Sequence, residues 1–308
     1  MKYSGPHEIP KGLTLLAITQ PDGAETLGIK TDSSVIDVRA ASRLLGIPAP
    51  LTMEELLREG NAAALTQIAA SVRAEIQPAL LDEARITYGR LFTNPGKIIC
   101  VGINYRRHAE EIGVPTPRVP PLFSKLKNAL AAHNCTITLP PKEIACKFDY
   151  ETELLIVMGK AARNVEEADA LNYVAGYCTA NDFSARDLQL ELPAGQWLIG
   201  KTLDGFAPIG PYFVSADLVG NPNNLKIETH VNGELRQSWN TNDFICNTQQ
   251  MIAYISKYLA LEPGDIIFTG TPHGVILGYP KDKQVWLKAG DEIVSTIEKL
   301  GELKFRLG

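Results

Sequence analysis

Short apolar and β-branched runs recur along the whole chain, and their spacing sets the first expectations. Residues 13–18, 26–30 and 35–38 read as three strands, separated by the turn words Pro21-Asp22-Gly23 and Asp32-Ser33. A helical stretch follows: Thr52 stands three residues before Glu55, the spacing of a capping box, and Leu56, Leu57, Ala64, Leu65 and Ile68 share one face until Gln77-Pro78 ends it. After the turn word Asn94-Pro95-Gly96 the pattern changes, and residues 97–103, 136–139, 150–157, 210–214, 225–231, 265–269, 291–297 and 303–307 all read as strands. Helices are predicted at 164–170 and at 248–259. The second carries Met251, Ile252, Ile255, Tyr258 and Leu259 on one face and stops at Glu262-Pro263-Gly264-Asp265.

Strands that do not alternate regularly with long helices disfavour a doubly wound parallel sheet and favour a β-rich roll or barrel. The expected class is therefore α+β and β-rich. A small N-terminal α/β accessory domain is expected over residues 1–90, where no groups cluster for chemistry, and a larger domain over 91–308. The 308 residues, 45% hydrophobic and 21% charged, are those of an ordinary globular protein. Thirty Lys+Arg against 35 Asp+Glu leave a net charge of −5 with no basic block, so binding along a nucleic-acid backbone is not expected. No apolar run reaches the ~18 residues of a bilayer span. The first 11 residues lack the apolar core of a secretory signal, so a soluble, cytoplasmic chain is expected. Five scattered cysteines without a Cys-x-x-Cys pair read as reduced, packed thiols. Dinucleotide and P-loop chemistry are not expected.

The sharpest local anomaly is Asp149-Tyr150-Glu151-Thr152-Glu153, which opens a strand that runs on as a wholly apolar stretch through Met158. Residues i and i+2 of a strand face the same side, so Glu151 and Glu153 project together. Such a pair is a solvated face, the partner of a basic group, or part of a divalent-cation site. Asp182 is the best third carboxylate, and on local grounds it reads equally well as a helix N-cap. Three carboxylates leave about three of six octahedral positions open for water and a bidentate substrate. His108 and Glu111 are neighbours on one helical face, either a surface pair or a dyad in which the carboxylate orients the imidazole to deprotonate a water. The proline-rich stretch 113–121 could serve as a lid. Lys201, in a largely apolar stretch, either snorkels to solvent or meets a buried anion. Thr269-Gly270-Thr271-Pro272-His273-Gly274 is a plain turn or one that offers N–H groups and the Thr271 hydroxyl to a carboxylate. Arg106, Arg107 and Arg118 could bind a second substrate carboxylate, but the solvated reading is preferred.

In order and wording these stretches resemble the fumarylacetoacetate hydrolase superfamily. The matching words are KIICVGINYRRHAEE, PLFSKLKNAL, DYETELLIVMGK, GYCTANDFSARD, GKTLDGFAPIGP and LEPGDIIFTGTPHGV with the trailing LKAGDEI, spanning about residues 95–308. The first 90 residues resemble the variable N-terminal domain of the smaller bacterial members. The resemblance implies a mixed β-roll/β-barrel catalytic domain and a homodimer. It implies that Glu151, Glu153 and Asp182 ligate a divalent metal, Mg²⁺ or Mn²⁺, that His108 and Glu111 activate a water, and that Lys201 stabilises negative charge on the substrate. Gln189, Thr271 and Lys125 match substrate-contacting positions, while Arg107 and His273 stand where relatives vary and bear on substrate choice. The implied reaction is hydrolysis of a carbon–carbon bond in a 2,4-diketo acid of aromatic catabolism, such as an acylpyruvate or fumarylpyruvate, through a metal-stabilised enolate. The alternatives are an oxaloacetate-type decarboxylase or a 2-hydroxyhepta-2,4-diene-1,7-dioate-type isomerase acting on a dienol acid. A ligand-binding protein without turnover is the reading from another class.

Overall fold

Two neighbouring strands, Thr152–Met158 and Val174–Asn181, are buried at every position, so the sheet they centre has to be covered on both faces. The computed structural model of the chain, which describes residues 8–192 and 195–308, shows how this is met. Across the large sheet the order is Leu80–Leu81, Val35–Asp37, Glu25–Lys30, Thr14–Thr19, Ala207–Ser215, Val174–Asn181, Thr152–Met158, Ile266–Phe268, Ile98–Val101 and Leu122–Ser124, with Leu130–Ala131 paired at the side of Ala207–Ser215. A second sheet reads Glu234–Asn240, Lys226–Val231, Glu292–Ile297, Gly301–Leu307 and Cys135–Ile137. Most pairs are antiparallel, but Ile98–Val101 runs parallel to Ile266–Phe268, and Cys135–Ile137 runs parallel to Gly301–Leu307. The β-rich α+β class is borne out, as large mixed sheets; among the described residues neither sheet closes into a barrel.

The period of two along the central strand sorts its side chains between two cores. Leu155 and Val157 join a cluster with Leu15, Leu65, Phe183, Phe206 and Phe305. Leu154, Ile156 and Met158 point the other way, into a cluster with Met251, Ile252 and Ile255 of the helix Thr248–Tyr258. That helix starts with a full capping box, in which Asn247 accepts from the Gln250 N–H and the Gln250 side chain accepts from the Asn247 N–H.

The N-terminal strands extend the same large sheet, since Thr14–Thr19 pairs antiparallel with Ala207–Ser215 in the register Thr14 to Val214 and Leu15 to Phe213. Three local readings differ. The single helical stretch expected after Thr52 is two helices, Met53–Glu59 and Ala62–Ala69, because Gly60 and Asn61 both take positive φ, 88° and 72°, and break the helix. Val38, expected to end a strand, instead starts the helix Val38–Leu45, which the Asp37 side chain caps and which Gly46 ends with a left-handed turn. The helix expected at 164–170 is a 3₁₀ segment, Glu167–Tyr173, displaced because Asn164 lies at φ 51°.

The fold makes one direct prediction. Leu155 is fully buried in the central strand, so Leu155→Ala is expected to cost about 2–5 kcal/mol in chemical denaturation, and a loss under about 1 kcal/mol would show that this strand is not at the centre of the core.

Candidate active site

The antiparallel register of the two central strands places their polar ends together. Thr152 pairs with Asn181, so Glu151, just before one strand, and Asp182, just after the other, lie side by side, with the Asp182 N–H donating to Glu151 O at 2.9 Å. Glu153 joins them two residues along. One carboxylate oxygen from each of Glu151, Glu153 and Asp182 lies within 4.8 Å of the others, and all three residues are buried. The sequence expectation that Glu151 and Glu153 project together therefore holds, although Glu151 precedes the first residue of the strand. Asp182 caps no helix, because the helix Arg186–Leu190 starts further on, after Ala185.

Three cations from three different elements meet this cluster. Lys201 Nζ lies 2.8 Å from Glu151 Oε2 and 2.9 Å from Asp182 Oδ2. Arg186 spans two carboxylates, 2.7 Å from Glu151 Oε1 and 2.9 Å from Asp149 Oδ2. Lys125 pairs with Asp182 Oδ1 and donates to the carbonyls of Phe183 and Lys201. Glu153 touches none of the three; its one hydrogen bond accepts the Gly270 N–H at 2.7 Å. Fully ionised, Asp149, Glu151, Glu153 and Asp182 would carry four negative charges against three positive ones, and Glu153 is the carboxylate with no cation paired to it.

The titration of these groups follows from that count. Burial works against the charge on Glu151, but Lys201 and Arg186 outweigh it and hold the carboxyl well below its usual range. Burial also works against the charge on Lys201, and Asp182 and Glu151 outweigh it, so the ammonium is held on more firmly than usual. For Glu153, burial and the neighbouring Asp182 and Glu151 act together and hold the carboxyl well above its usual range. Converging hard oxygen donors fit a divalent cation, whose binding would release the proton held on Glu153 and bring the local charge from 0 to +1.

Opposite the cluster, His108 Nδ1 lies 3.2 Å from Glu111 Oε2, and Glu111 Oε1 accepts the Gly274 N–H at 2.8 Å. Both residues come from the short helix Arg106–Glu111, the pair expected from their spacing. A small cavity of about 80 Å³ lies among His108, Glu151, Glu153, Asp182 and Lys201, with Phe123, Ile112 and Trp197 as apolar walls. Gly102 admits the Trp197 ring, which a side chain at that position would strike.

Other expected residues are placed as follows. Gln189 and Thr271 border the cavity, Gln189 accepting from Arg186 and the Thr271 hydroxyl donating to Thr152 O. Lys125 lies behind Asp182 with its side chain fully buried, and its contacts are with the protein. Arg106 is engaged with the carbonyls of Asp243 and Phe244, and Arg107 with Glu110, while Arg118 borders a separate surface pocket. Residues 195–202 do carry the Gly-x-x-x-x-Gly-Lys-Thr spacing of a P-loop, contrary to the sequence reading. Their context excludes that chemistry: the stretch follows the helix Arg186–Leu190, Gly200 packs on the Gln189 backbone, and Lys201 lies at the end of its helix, on two carboxylates. Arg186 and Asp149 were not singled out by residue type or spacing. An arginine five residues after the strand Val174–Asn181 reads as solvated until its burial is seen.

Residues 97–307 match the family described as fumarylacetoacetate (FAA) hydrolase, C-terminal. The chain belongs to the fumarylacetoacetate hydrolase family. Within it, the chain is 41% identical over 277 residues to oxaloacetate tautomerase FAHD2B, mitochondrial, of Bos taurus, covering 89% of this chain and 85% of that protein. It is similar in structure to fumarylacetoacetate hydrolase from psychrophilic Exiguobacterium antarcticum, with TM-score 0.80, 30% identity and coverage of 96% and 99% of the two chains. Fumarylpyruvate hydrolase from Pseudomonas aeruginosa, solved in complex with Mn²⁺ and pyruvate, is 33% identical with TM-score 0.63, over 70% of this chain and 90% of that one. Relatives in the family thus carry the names of hydrolases and of a tautomerase. Among the described residues no helix is long and apolar enough to cross a membrane.

Glu153 gives the pH prediction for the metal-free protein. Its folded pKa lies above the unfolded value of 4.5, so the native chain keeps a proton that the unfolded chain has lost, and its contribution to stability falls as pH rises from there. Glu151, held low, is ionised in both states over that range and adds no slope. The melting temperature of the wild type relative to Glu153→Gln is therefore expected to drop between about pH 5 and pH 8 without cation, and to recover with Mg²⁺ or Mn²⁺. A difference that stays flat with pH would show that Glu153 is not held protonated.

Proposed function

We propose that the protein is an enzyme that moves a proton at the carbon beside the oxo group of a small 2-oxo acid, with keto–enol tautomerisation of oxaloacetate as its reaction. The buried triad of Glu151, Glu153 and Asp182 facing the His108–Glu111 pair across one small cavity carries this reading. The likeness to an oxaloacetate tautomerase over most of both chains supports it. A divalent cation, Mg²⁺ or Mn²⁺, held by the triad would supply Lewis-acid polarisation of adjacent substrate oxygens and so acidify the neighbouring C–H. Lys201 stays protonated between Glu151 and Asp182; it serves as a fixed hydrogen-bond donor to developing negative charge and cannot act as a base. His108, with its Nδ1–H directed at Glu111, presents the Nε2 lone pair to take the proton and, once charged, returns it. The apolar walls of Phe123 and Trp197 limit water at the reacting carbon.

Hydrolysis of a carbon–carbon bond in a 2,4-diketo acid is the second reading. The same His108–Glu111 pair can deprotonate a water instead of a carbon, and the likeness to fumarylpyruvate hydrolase favours it. Decarboxylation of oxaloacetate and isomerisation of a dienol acid call on the same enolate. Action as a homodimer belongs to this proposal and is open to sedimentation. The expected cytoplasmic location is proposed here too, beside relatives named as mitochondrial.

The deciding experiment follows enol absorbance and products after metal-stripped protein meets oxaloacetate, acetylpyruvate or fumarylpyruvate, with and without Mg²⁺ or Mn²⁺. Metal-dependent enol interconversion of oxaloacetate is expected, with kcat/KM reduced about 10² to 10⁴-fold in His108→Ala and further when the carboxylate triad is removed. Faster release of pyruvate plus a carboxylic acid from a diketo acid would establish hydrolysis instead. Equal activity with and without the cation would sink both readings.

A further inference from the structure

We infer that Asp149, Tyr150 and Gly278 are positioning residues for Glu111, so that the tripeptide Asp149-Tyr150-Glu151 ties the carboxylate cluster to the His108–Glu111 pair. Glu111 does not hang free from its helix. One oxygen accepts the Gly274 N–H at 2.8 Å, and Gly274 is in turn held by Tyr150, whose hydroxyl donates to Gly274 O at 2.7 Å. The turn that follows, Ile276–Gly278, is pinned by Asp149, which accepts the Ile276 N–H at 2.9 Å on Oδ1 and the Leu277 N–H at 3.0 Å on Oδ2. Oδ2 also accepts Arg186 Nε at 2.9 Å, and the same guanidinium pairs with Glu151 Oε1 at 2.7 Å. A continuous chain of charged hydrogen bonds therefore runs from the triad to the turn against which Glu111 rests.

Gly278 is where that turn meets Glu111. A Cβ added there would stand 2.5 Å from both Cγ and Oε2 of Glu111, far inside the ~3.5 Å at which carbon atoms pack. The three atoms nearest such a Cβ all belong to Glu111, and the Gly278 backbone is not in the left-handed region, so alanine suits the turn itself. The carboxylate is the part that can give way, and giving way takes Oε2 from His108 Nδ1. Without that acceptor the imidazole is no longer held to the tautomer that leaves Nε2 as a base.

The catalytic consequence rests on the acid–base role proposed for His108; the geometric one does not. The test is ¹⁵N NMR of the His108 imidazole in the full-length protein, metal-free and with Mg²⁺, beside kcat and KM for oxaloacetate, in Gly278→Ala and Asp149→Asn. The wild type is expected to show a protonated, hydrogen-bonded Nδ1. In Gly278→Ala that signature should be lost and kcat should fall about 10²-fold, with KM, Mg²⁺ affinity by calorimetry and melting temperature close to wild type. Asp149→Asn should show the same NMR change together with a lower melting temperature. An unaltered Nδ1 signature in Gly278→Ala overturns the inference. A lower melting point in Asp149→Asn with His108 unaltered overturns the link through Asp149. Loss of the signature with kcat unchanged supports the positioning and instead removes His108 as the acid–base group.

Discussion

Four carboxylates held out of water at the ends of the two central strands set the constraint that the rest of this structure answers. An isolated buried carboxylate costs far more than any single contact returns, so each has to be paired, hydrogen-bonded or neutralised. Asp182 receives two lysines, Glu151 a lysine and an arginine, and Asp149 the same arginine and three backbone N–H groups. Those cations arrive from the edge-strand loop, the helix after Asp182 and the short helix Leu198–Lys201, so three separate stretches are drawn to one point. Partial removal would leave charge stranded, which makes the group act as a unit.

The pairing with cations is incomplete at one residue of the cluster. Glu153 has only the Gly270 N–H, at the edge of a small cavity bounded by aromatic rings. Three converging oxygens, one of them on a carboxyl that gives up its proton only when a cation arrives, could hold a divalent metal ion, and the positive charge this would bring suits the anionic substrate proposed. His108 and Glu111 come from the short helix Arg106–Glu111, apart from the strands that carry the triad. The carboxylate cluster and the His108–Glu111 pair thus come from separate elements and are connected by hydrogen bonds through Asp149 and Tyr150.

Within the family, this chain is similar both to a protein named as an oxaloacetate tautomerase and to one named as a fumarylpyruvate hydrolase. The two readings proposed for this chain share stabilisation of negative charge on a 2-oxo acid and part on whether the His108 imidazole meets a carbon-bound proton or a water. Ile112, Phe123 and Trp197 wall the cavity that His108 lines, and in the proposed reaction they limit the room left for water.

The sequence by itself determined the β-rich class, most strand positions, the shared strand face of Glu151 and Glu153 and the shared helical face of His108 and Glu111, because alternation along a strand and three-residue spacing on a helix are local geometry, while Asp182 joined them only through the family resemblance. Local geometry also misled at Val38 and Asn164, where a cap or a left-handed residue overrode the apolar pattern. Only the tertiary structure decided that Lys201 meets carboxylates, that Lys125 lies behind Asp182, and that Arg186 is buried, since each depends on partners 19 to 76 residues away or on burial. The same holds for Gly278, whose missing side chain matters solely because Glu111, distant in the chain, occupies the space. Long-range pairing brings these residues together, and spacing along a chain carries no record of it.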